Sequence, residues 1–119
     1  MVLDPGPGLR IIDLNAAHRV ATHTGRDAIG RPLFDAFPDD PANAGSESVH
    51  MLYAVLRAAA ESGQRQTVAP YRYDVRRPDG RFVVRHWRSE TTPLIDEEGR
   101  LLFLLHKAED VTSLVLAAE

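Results

Sequence analysis

Five histidines are the side chains of this chain best suited to hold a metal ion or move a proton, and they are scattered over positions 18, 23, 50, 86 and 106. No two of them have the HxH or HExxH spacing of a zinc site. His18 and His23 are five residues apart, a poor match to the i, i+4 pair that one helix face offers a metal. His86 and His106 fall on predicted neighbouring strands. A zinc site between them stays open, but the sequence favours structural histidines.

The chain has no cysteine, and its other reactive side chains form no catalytic pattern. The absence of cysteine rules out disulfides, thiol nucleophiles, thiolate metal ligands and cysteine-linked chromophores, and it fits a cytosolic protein. No GxSxG, P-loop or GxGxxG motif occurs. The acidic pairs Asp39-Asp40 and Glu97-Glu98 fall in predicted turns, where carboxylates are simply well solvated. The sequence therefore predicts a domain that is not itself an enzyme.

Half of the 14 basic residues are arginines that lie between positions 65 and 88: Arg65, Arg72, Arg76, Arg77, Arg81, Arg85 and Arg88. They could form an anion site, because arginine forks grip carboxylates and phosphates. The sequence favours another interpretation, a solvated hairpin face in which some of them pair with Asp74, Asp79 and Glu90. Nucleic acid is not expected as a partner, because the net charge is −3 and few aromatic residues interleave with the arginines.

Turn signals divide the first third of the chain into a hairpin and short helices. Val2-Leu3 and the apolar run over residues 9–14 predict two strands joined by a Gly/Pro turn. Asn15 is a good helix N-cap and predicts a helix over residues 16–23. A further short helix is expected over residues 33–37, begun by a proline in its first turn.

The longest helix is predicted over residues 46–62. Its apolar positions recur at i, i+3, i+4 and i+7, which predicts one face turned to a core: Val49, Leu52, Tyr53, Leu56, Ala59 and Ala60. Ser46 or Ser48 can cap its start, and Gly63 suits its end.

Three antiparallel strands are predicted after this helix, over residues 67–75, 82–92 and 101–108. The first strand alternates, with five side chains expected to face inward: Thr67, Ala69, Tyr71, Tyr73 and Val75. A Pro/Gly turn over residues 77–81 joins the first two strands. Pro93 is expected to break the second strand, and the third is the most apolar.

A short helical tail follows the last strand. Its apolar stripe has helical spacing, at Val111, Leu114, Val115 and Ala118. Such a short helix is not stable alone, because helix nucleation is costly. We expect the tail to continue in a longer parent protein or to pack on a partner, with a frayed terminal turn as the alternative.

The totals describe a single soluble domain. The chain has 119 residues, of which 44% are hydrophobic and 26% charged. No apolar run approaches the roughly 20 residues of a membrane span, and the N-terminus lacks the basic start and apolar middle of a signal peptide. We expect a cytoplasmic location and no membrane partner.

Four segments in this order resemble a PAS domain, over nearly the whole chain: IIDLNAA (11–17), IGRPLFDAFPDDP (29–41), YDVRRPDGRFVVRHW (73–87) and TPLIDEEGRLLFLLHKAEDVT (92–112). The second segment is similar to the family's G-(R/K)-x-(L/I)-F-(D/E) helix, and the fourth ends in its D-x-T. Each segment alone is weak, and together they indicate the fold but no particular ligand.

The resemblance implies an α+β PAS fold, in which a five-stranded antiparallel sheet is flanked by short helices and one long helix. Residues 1–112 would form the PAS domain, and residues 113–119 would begin a C-terminal exit or linker helix. Asp110 and Thr112 would tie the last strand to that helix and relay a signal, and Asn15 would open the first helix. Such modules serve as sensory or dimerisation inputs of bacterial signalling proteins, commonly a histidine kinase. A homodimer and a linked output domain are therefore expected.

The resemblance also implies a cavity that can hold a small-molecule ligand. The candidate lining residues are Phe34, Leu52, Leu56, Tyr71, Tyr73, Trp87, Leu104 and His106, although packed core is the plainer interpretation for most of them. Heme-binding relatives use a histidine on the long helix. His50 lies there, but it is one position off the apolar face and has no fuller heme pattern around it. The sequence does not favour heme, and it leaves noncovalent flavin open without support.

Two alternatives remain open at this point. One is a small cone-shaped α+β enzyme of the ketosteroid-isomerase kind, which would need a buried aspartate base and a buried donor. Its candidates are Tyr53, Tyr71 and Asp74, and the strand order and the D-x-T ending disfavour it. The other is a pure dimerisation spacer whose cavity is packed shut.

Overall fold

The computed structural model of the chain describes residues 1–43 and 47–118. A 3₁₀ turn at Arg26–Ala28 lies between the first two helices. The other elements, in chain order, are β1 (Val2–Leu3), β2 (Ile11–Asp13), α1 (Ala16–Thr22), α2 (Leu33–Ala36), α3 (Ser48–Ser62), β3 (Gln66–Arg72), β4 (Val75–Arg76), β5 (Phe82–Val83), β6 (His86–Ile95), β7 (Leu101–Asp110) and α4 (Thr112–Ala117).

Five strands form one antiparallel sheet in the order β2-β1-β7-β6-β3. Its longest pairing is the β6–β7 hairpin, which runs from Trp87 opposite Asp110 to Ile95 opposite Leu101. The first strand of the chain lies beside the last one, so the sheet brings the two ends of the domain together. The helices, led by α3, pack against this sheet. The predicted α+β architecture with a five-stranded antiparallel sheet is confirmed.

The helix ends follow backbone chemistry that the sequence carries. The Asn15 side chain accepts a hydrogen bond from the His18 N–H at 2.8 Å, so the predicted cap of α1 is confirmed. His23, in the left-handed region at φ 53°, ends α1 before Gly25. Gly63, at φ 68°, ends α3 as predicted. Ser48 is the first residue of α3 rather than its cap, and its hydroxyl donates to the Arg72 carbonyl. The alternative cap, Ser46, lies outside the described residues.

The buried face of α3 is narrower than the sequence predicted. Leu52, Leu56 and Ala59 are buried, whereas Tyr53 is 49% exposed. Successive helical residues are rotated by roughly 100°. Tyr53 therefore lies at the edge of the arc that Leu52, Leu56 and Ala59 define. The prediction that Tyr53 faces the core is wrong.

The inward alternation predicted for β3 is wrong for its first half. Thr67 and Ala69 are exposed. The register with β6 shifts between Val68 and Tyr71, and such an irregularity moves side chains from one face of a strand to the other. Beyond the shift the prediction holds, because Tyr71 is half-buried and Tyr73 is buried.

Two predicted strands are also divided differently in the fold. The hairpin tip forms a separate two-stranded ribbon, β4 with β5, so neither flanking strand is continuous. Pro93 does not break β6 but lies inside it, opposite Leu104. β3 pairs with β6 only as far as Thr91. Pro93 therefore lies on a stretch with one neighbouring strand, where a missing N–H is tolerated.

The core lies between the inner face of the sheet and the helices. Its fully buried apolar side chains come from both layers: Leu3, Ile11, Leu14, Leu33, Leu56 and Leu104. The outer side of the apolar strand β7 is uncovered, with Phe103 and Leu105 exposed by 37% and 41%. No helix within residues 1–43 and 47–118 is long and apolar enough to cross a membrane.

Candidate ligand cavity and exit helix

A cavity of about 60 Å³ lies between the inner face of the sheet and helices α1, α2 and α3. Five of the predicted pocket residues line it: Leu52, Tyr71, Tyr73, Trp87 and His106. The other three lie elsewhere. Leu56, one helical turn beyond Leu52, and Leu104 are fully buried in the packed core. Phe34 is half-buried on α2, with its ring centroid 6.4 Å from that of Tyr53, which lies at the exposed edge of α3.

Hydrogen bonds fix the aromatic wall of the cavity. The Tyr73 hydroxyl donates to the Phe37 carbonyl at 2.5 Å, and the Trp87 indole N–H donates to the Tyr73 carbonyl at 2.8 Å. Burial raises the pKa of Tyr73 above its ordinary value, so this phenol stays protonated. The polar groups of both rings therefore already have partners within the domain.

His106 is the most enclosed polar group of the cavity, with 3% of its surface exposed. Its Nδ1 lies 2.9 Å from the hydroxyl of Thr91, the fully buried residue opposite it on β6. Burial, followed by the field of His18, lowers the pKa of His106 to about 3, so the ring is neutral. Among residues 1–43 and 47–118, no group forms a hydrogen bond with its Nε2.

The second imidazole of the cavity belongs to His18 on α1, which the sequence analysis did not assign to the pocket. Its ring packs edge-on against Phe37, with centroids 6.0 Å apart. Burial lowers the pKa of His18 to about 4. The sequence signal that could have placed His18 on the inner face of α1 is its spacing from Thr22, because residues i and i+4 share a helix face. Thr22 is buried.

The start of α4 is tied to β6 by side chains of the D-x-T segment. The Asp110 carboxylate accepts hydrogen bonds from the Thr112 N–H at 2.9 Å and from the Thr112 hydroxyl. The Thr112 hydroxyl oxygen in turn accepts from the His86 N–H at 2.9 Å, and the Val111 N–H donates to the His86 carbonyl at 2.8 Å. The connections between strand and helix that the sequence predicted therefore exist, whereas the signalling role of Asp110 and Thr112 stays a prediction.

The cavity wall and this junction are adjacent on β6. Trp87 lines the cavity and pairs in register with Asp110, and the preceding residue, His86, holds Val111 and Thr112. A displacement of Trp87 would therefore act directly on the residue that holds the start of α4.

A family model described as PAS fold matches residues 2–116. The chain belongs to the PAS family. No curated protein matches it. The resemblance drawn from the four sequence segments is therefore confirmed at the level of the family.

Solved structures with the same fold share little sequence with this PAS domain. A Light-Oxygen-Voltage domain studied with a flavin analogue is 20% identical, with a TM-score of 0.70 over 98% of this chain and 79% of that one. An RNA-binding Light-Oxygen-Voltage receptor is 21% identical, with a TM-score of 0.68 over 96% of this chain and 29% of that one. A PAS domain from Colwellia psychrerythraea is 19% identical, with a TM-score of 0.64 over 94% and 86%.

The PAS domain does not present the acid–base pair that the isomerase alternative needs. Asp74 lines the cavity, but its carboxylate forms two 2.9 Å hydrogen bonds with the Arg72 guanidinium. Burial acts to raise the pKa of Asp74. The hydrogen bonds and the positive charge of Arg72 are the largest of the opposing effects, and the net result is a pKa below the ordinary value. A general base near neutrality needs the opposite shift. Tyr53 is exposed and is not among the lining residues.

The histidines that the sequence analysis weighed as metal or heme ligands are not brought together as one ligand set. His50 is exposed on α3. His106 pairs with Thr91, five positions along β6 from His86, a separation of roughly 16 Å. Among the residues that the structure describes, no group of three or more His, Asp or Glu side chains could hold a metal ion. The zinc and heme hypotheses therefore gain no ligand set here.

Most of the arginines between positions 65 and 88 form ion pairs with acidic side chains. Arg72 pairs with Asp74, and two exposed pairs join Arg65 to Glu90 at 3.6 Å and Arg81 to Asp79 at 3.9 Å. These are the three acids that the sequence named as partners, and two further arginines pair with Glu109 and Asp110. The solvated, paired hairpin face is the interpretation that these contacts support.

Proposed function

We propose that this PAS domain is a sensory input module that detects a small molecule in its cavity and relays the event through α4. The observation that carries the proposal is the adjacency on β6: Trp87 forms the cavity wall, and His86 holds the first residues of α4. A ligand can shift the position of α4 only if it binds one arrangement of this junction better than the other. Contact with the Trp87 ring provides such a difference.

The output would be a separate domain, such as a histidine kinase, in a longer parent protein. The domain itself would carry no catalysis, because its one cavity-lining carboxylate, among the described residues, is neutralised by Arg72. The solved RNA-binding Light-Oxygen-Voltage receptor supports this arrangement by analogy, since the fold of this domain corresponds to 29% of that chain. The analogy concerns the organisation of the chain and does not extend to RNA.

We also propose that the module is a homodimer. Leu114 and Leu116 on α4 are exposed by 65% and 57%, and β7 adds the exposed Phe103 and Leu105. Exposed apolar patches of this kind mark protein contacts. Sedimentation of the wild-type chain and of Leu114→Ser would test this: a dimer that Leu114→Ser weakens is expected, and a wild-type monomer at high concentration would contradict it.

The sensory proposal is tested with a variant that fills the cavity. Ala108 lines the cavity, so Ala108→Met should occupy part of it, whereas Ala54→Met places the same side chain on the exposed surface of α3. A thermal-shift screen of small molecules should find compounds that stabilise the wild type and Ala54→Met but not Ala108→Met. The same compounds should change amide hydrogen exchange over residues 112–118.

The small volume of the cavity favours one second candidate, a dimerisation spacer. Ligand pockets commonly measure about 300–1,000 Å³, well above the 60 Å³ found here. A spacer predicts that no compound binds and that Ala108→Met is more stable than the wild type, because it fills a packing defect.

A further inference from the structure

We propose that the cavity takes a short-chain carboxylic acid, held by His18 and His106 and bound together with one proton. This inference rests on the proposed sensory function and names the ligand class for the same cavity. It is argued from the size of the cavity, from its unused hydrogen-bonding atoms and from the charges around them.

The size of the cavity limits the ligand to a few heavy atoms. A water molecule needs about 10–15 Å³, and an engineered apolar cavity of about 150 Å³ accommodates benzene. At about 60 Å³, this cavity offers room for roughly four to six such units. Propionic acid, with a short apolar chain and one carboxyl group, is of this size.

Two imidazoles supply the polar end. His106 lines the cavity and is 3% exposed, its Nδ1 lies within hydrogen-bond distance of the Thr91 hydroxyl, and its Nε2 has no hydrogen-bond partner among the described residues. The His18 ring nitrogens likewise form no hydrogen bond within residues 1–43 and 47–118. A neutral imidazole offers one donor and one acceptor. A carboxylic acid has both complementary groups, so one imidazole can accept its proton while the other donates to its second oxygen.

The other charged and titratable groups around the imidazoles do not supply this proton. Asp74 is committed to Arg72, and the phenols of Tyr71 and Tyr73 are held neutral by burial. The remaining charged side chain of the described lining is that of Arg76. The Met1 ammonium donates to the His106 carbonyl, and burial lowers its pKa. The one carboxylate of the described lining is therefore already paired, and an acidic ligand would supply the carboxylate that the two imidazoles lack.

The proton balance is simple. Near neutral pH the free ligand is a carboxylate, and the complex takes up one proton from solvent, shared between a ligand oxygen and an imidazole nitrogen. No covalent bond forms or breaks. With this proton, the bound acid and the two imidazoles together carry no net charge. Binding therefore does not bury an unpaired charge. Linkage then requires the affinity to fall about tenfold for each pH unit of increase.

Calorimetric titration tests the proposal with three matched probes: propionate, propionamide and propanol. Each is titrated in two buffers of different ionisation heat, with the fluorescence of Trp87, the sole tryptophan, as a second readout. Propionate should bind at least about tenfold more tightly than the neutral probes, take up about one proton, and weaken about tenfold per pH unit above neutrality.

The assignment to the imidazoles is tested with His106→Phe and, in case that core variant fails to fold, with His18→Phe. Each retains the Met1 amino group, so loss of the proton uptake in either variant places the proton on an imidazole. Proton uptake that persists in both variants would overturn the proposal.

Two further outcomes would also overturn it, and they have different consequences for the sensory proposal. If propionamide or propanol binds as tightly as propionate, without proton uptake, the ligand class is wrong but the cavity is still a binding site. If none of the probes binds, the acid-ligand inference fails, and the sensory function is then decided by the Ala108→Met screen.

Discussion

Replacing Asp110 by alanine should loosen α4 while leaving the rest of the domain folded. The substitution removes two hydrogen bonds to Thr112 and the 3.5 Å ion pair with Arg85. Asp110 precedes the N-cap residue Val111 but bonds the first N–H of α4 as a capping side chain does, an interaction of about 1 kcal/mol, and a partly exposed ion pair adds about 0–1 kcal/mol. We therefore expect the free energy of unfolding to fall by about 1–2 kcal/mol. Because α4 has only six residues, it depends on such anchors, and the loss of this one should make its local opening more frequent.

The chain contains a matched control at the other end of the same hairpin. Asp96 accepts hydrogen bonds from the Glu98 and Arg100 N–H groups at 2.9 and 2.8 Å and pairs with the Arg100 guanidinium at 2.9 Å. Asp96→Ala therefore removes a similar set of interactions far from α4. It should lower stability by a similar amount without affecting the helix.

The assay combines urea unfolding, followed by Trp87 fluorescence, with amide hydrogen exchange over residues 112–118. Asp110→Ala should accelerate exchange in α4 under conditions where the core stays protected. Unchanged exchange in Asp110→Ala, or equal acceleration in Asp96→Ala, would refute the view that this carboxylate couples the sheet to the exit helix.

Two further predictions concern the buried face of α3 and the two buried histidines, His18 and His106. Leu56→Ala should cost about 2–5 kcal/mol because Leu56 is fully buried, whereas Tyr53→Ala on the exposed edge of α3 should cost far less; equal losses in urea titrations would contradict the assigned helix face. Burial lowers the pKa of His18 to about 4 and that of His106 to about 3, from 6.5. Below pH 6.5 the unfolded chain therefore binds protons that the folded chain does not. The free energy of unfolding therefore has its full value, as far as these histidines are concerned, above pH 6.5. It decreases as the pH falls towards 4, by up to about 1.4 kcal/mol per pH unit for each histidine. Urea midpoints that stay constant between pH 6.5 and pH 4 would contradict this.

The parts of the fold that the sequence predicted are those set by local chemistry. Asn15 caps α1 and Gly63 ends α3 because side-chain and backbone preferences act within a few residues. The parts that it missed depend on neighbouring strands. The register shift after Val68 and the acceptance of Pro93 inside β6 are decided by where the pairing with β3 begins and ends, which the sequence of a single strand does not contain.

The candidate site divides in the same way. The aromatic wall and His106 could be predicted because an alternating strand pattern places them on the inner face of the sheet. His18 could not be ranked from its own helix, which is short and half-exposed. The position of its ring depends on Phe37, which follows α2. Phe34 was misplaced for a similar reason, since a four-residue helix has too few turns to define a buried face.

The α4 tail illustrates a third limit. Val111 is buried and Val115 is half-buried, as the stripe suggested, but Leu114 is 65% exposed. The surface that would cover Leu114 does not belong to the described part of this chain. The division into residues 1–112 and a linker helix over residues 113–119 therefore stays a prediction, and Glu119 lies outside the described residues.

Native mass spectrometry of the purified chain, with an absorption spectrum of the same sample, tests most directly whether the cavity is a ligand site. The account predicts a noncovalently bound molecule of only a few heavy atoms, released on denaturation, without heme or flavin bands and absent from Ala108→Met. A wild-type chain that carries no bound mass, together with an Ala108→Met variant that is more stable than the wild type, would contradict it.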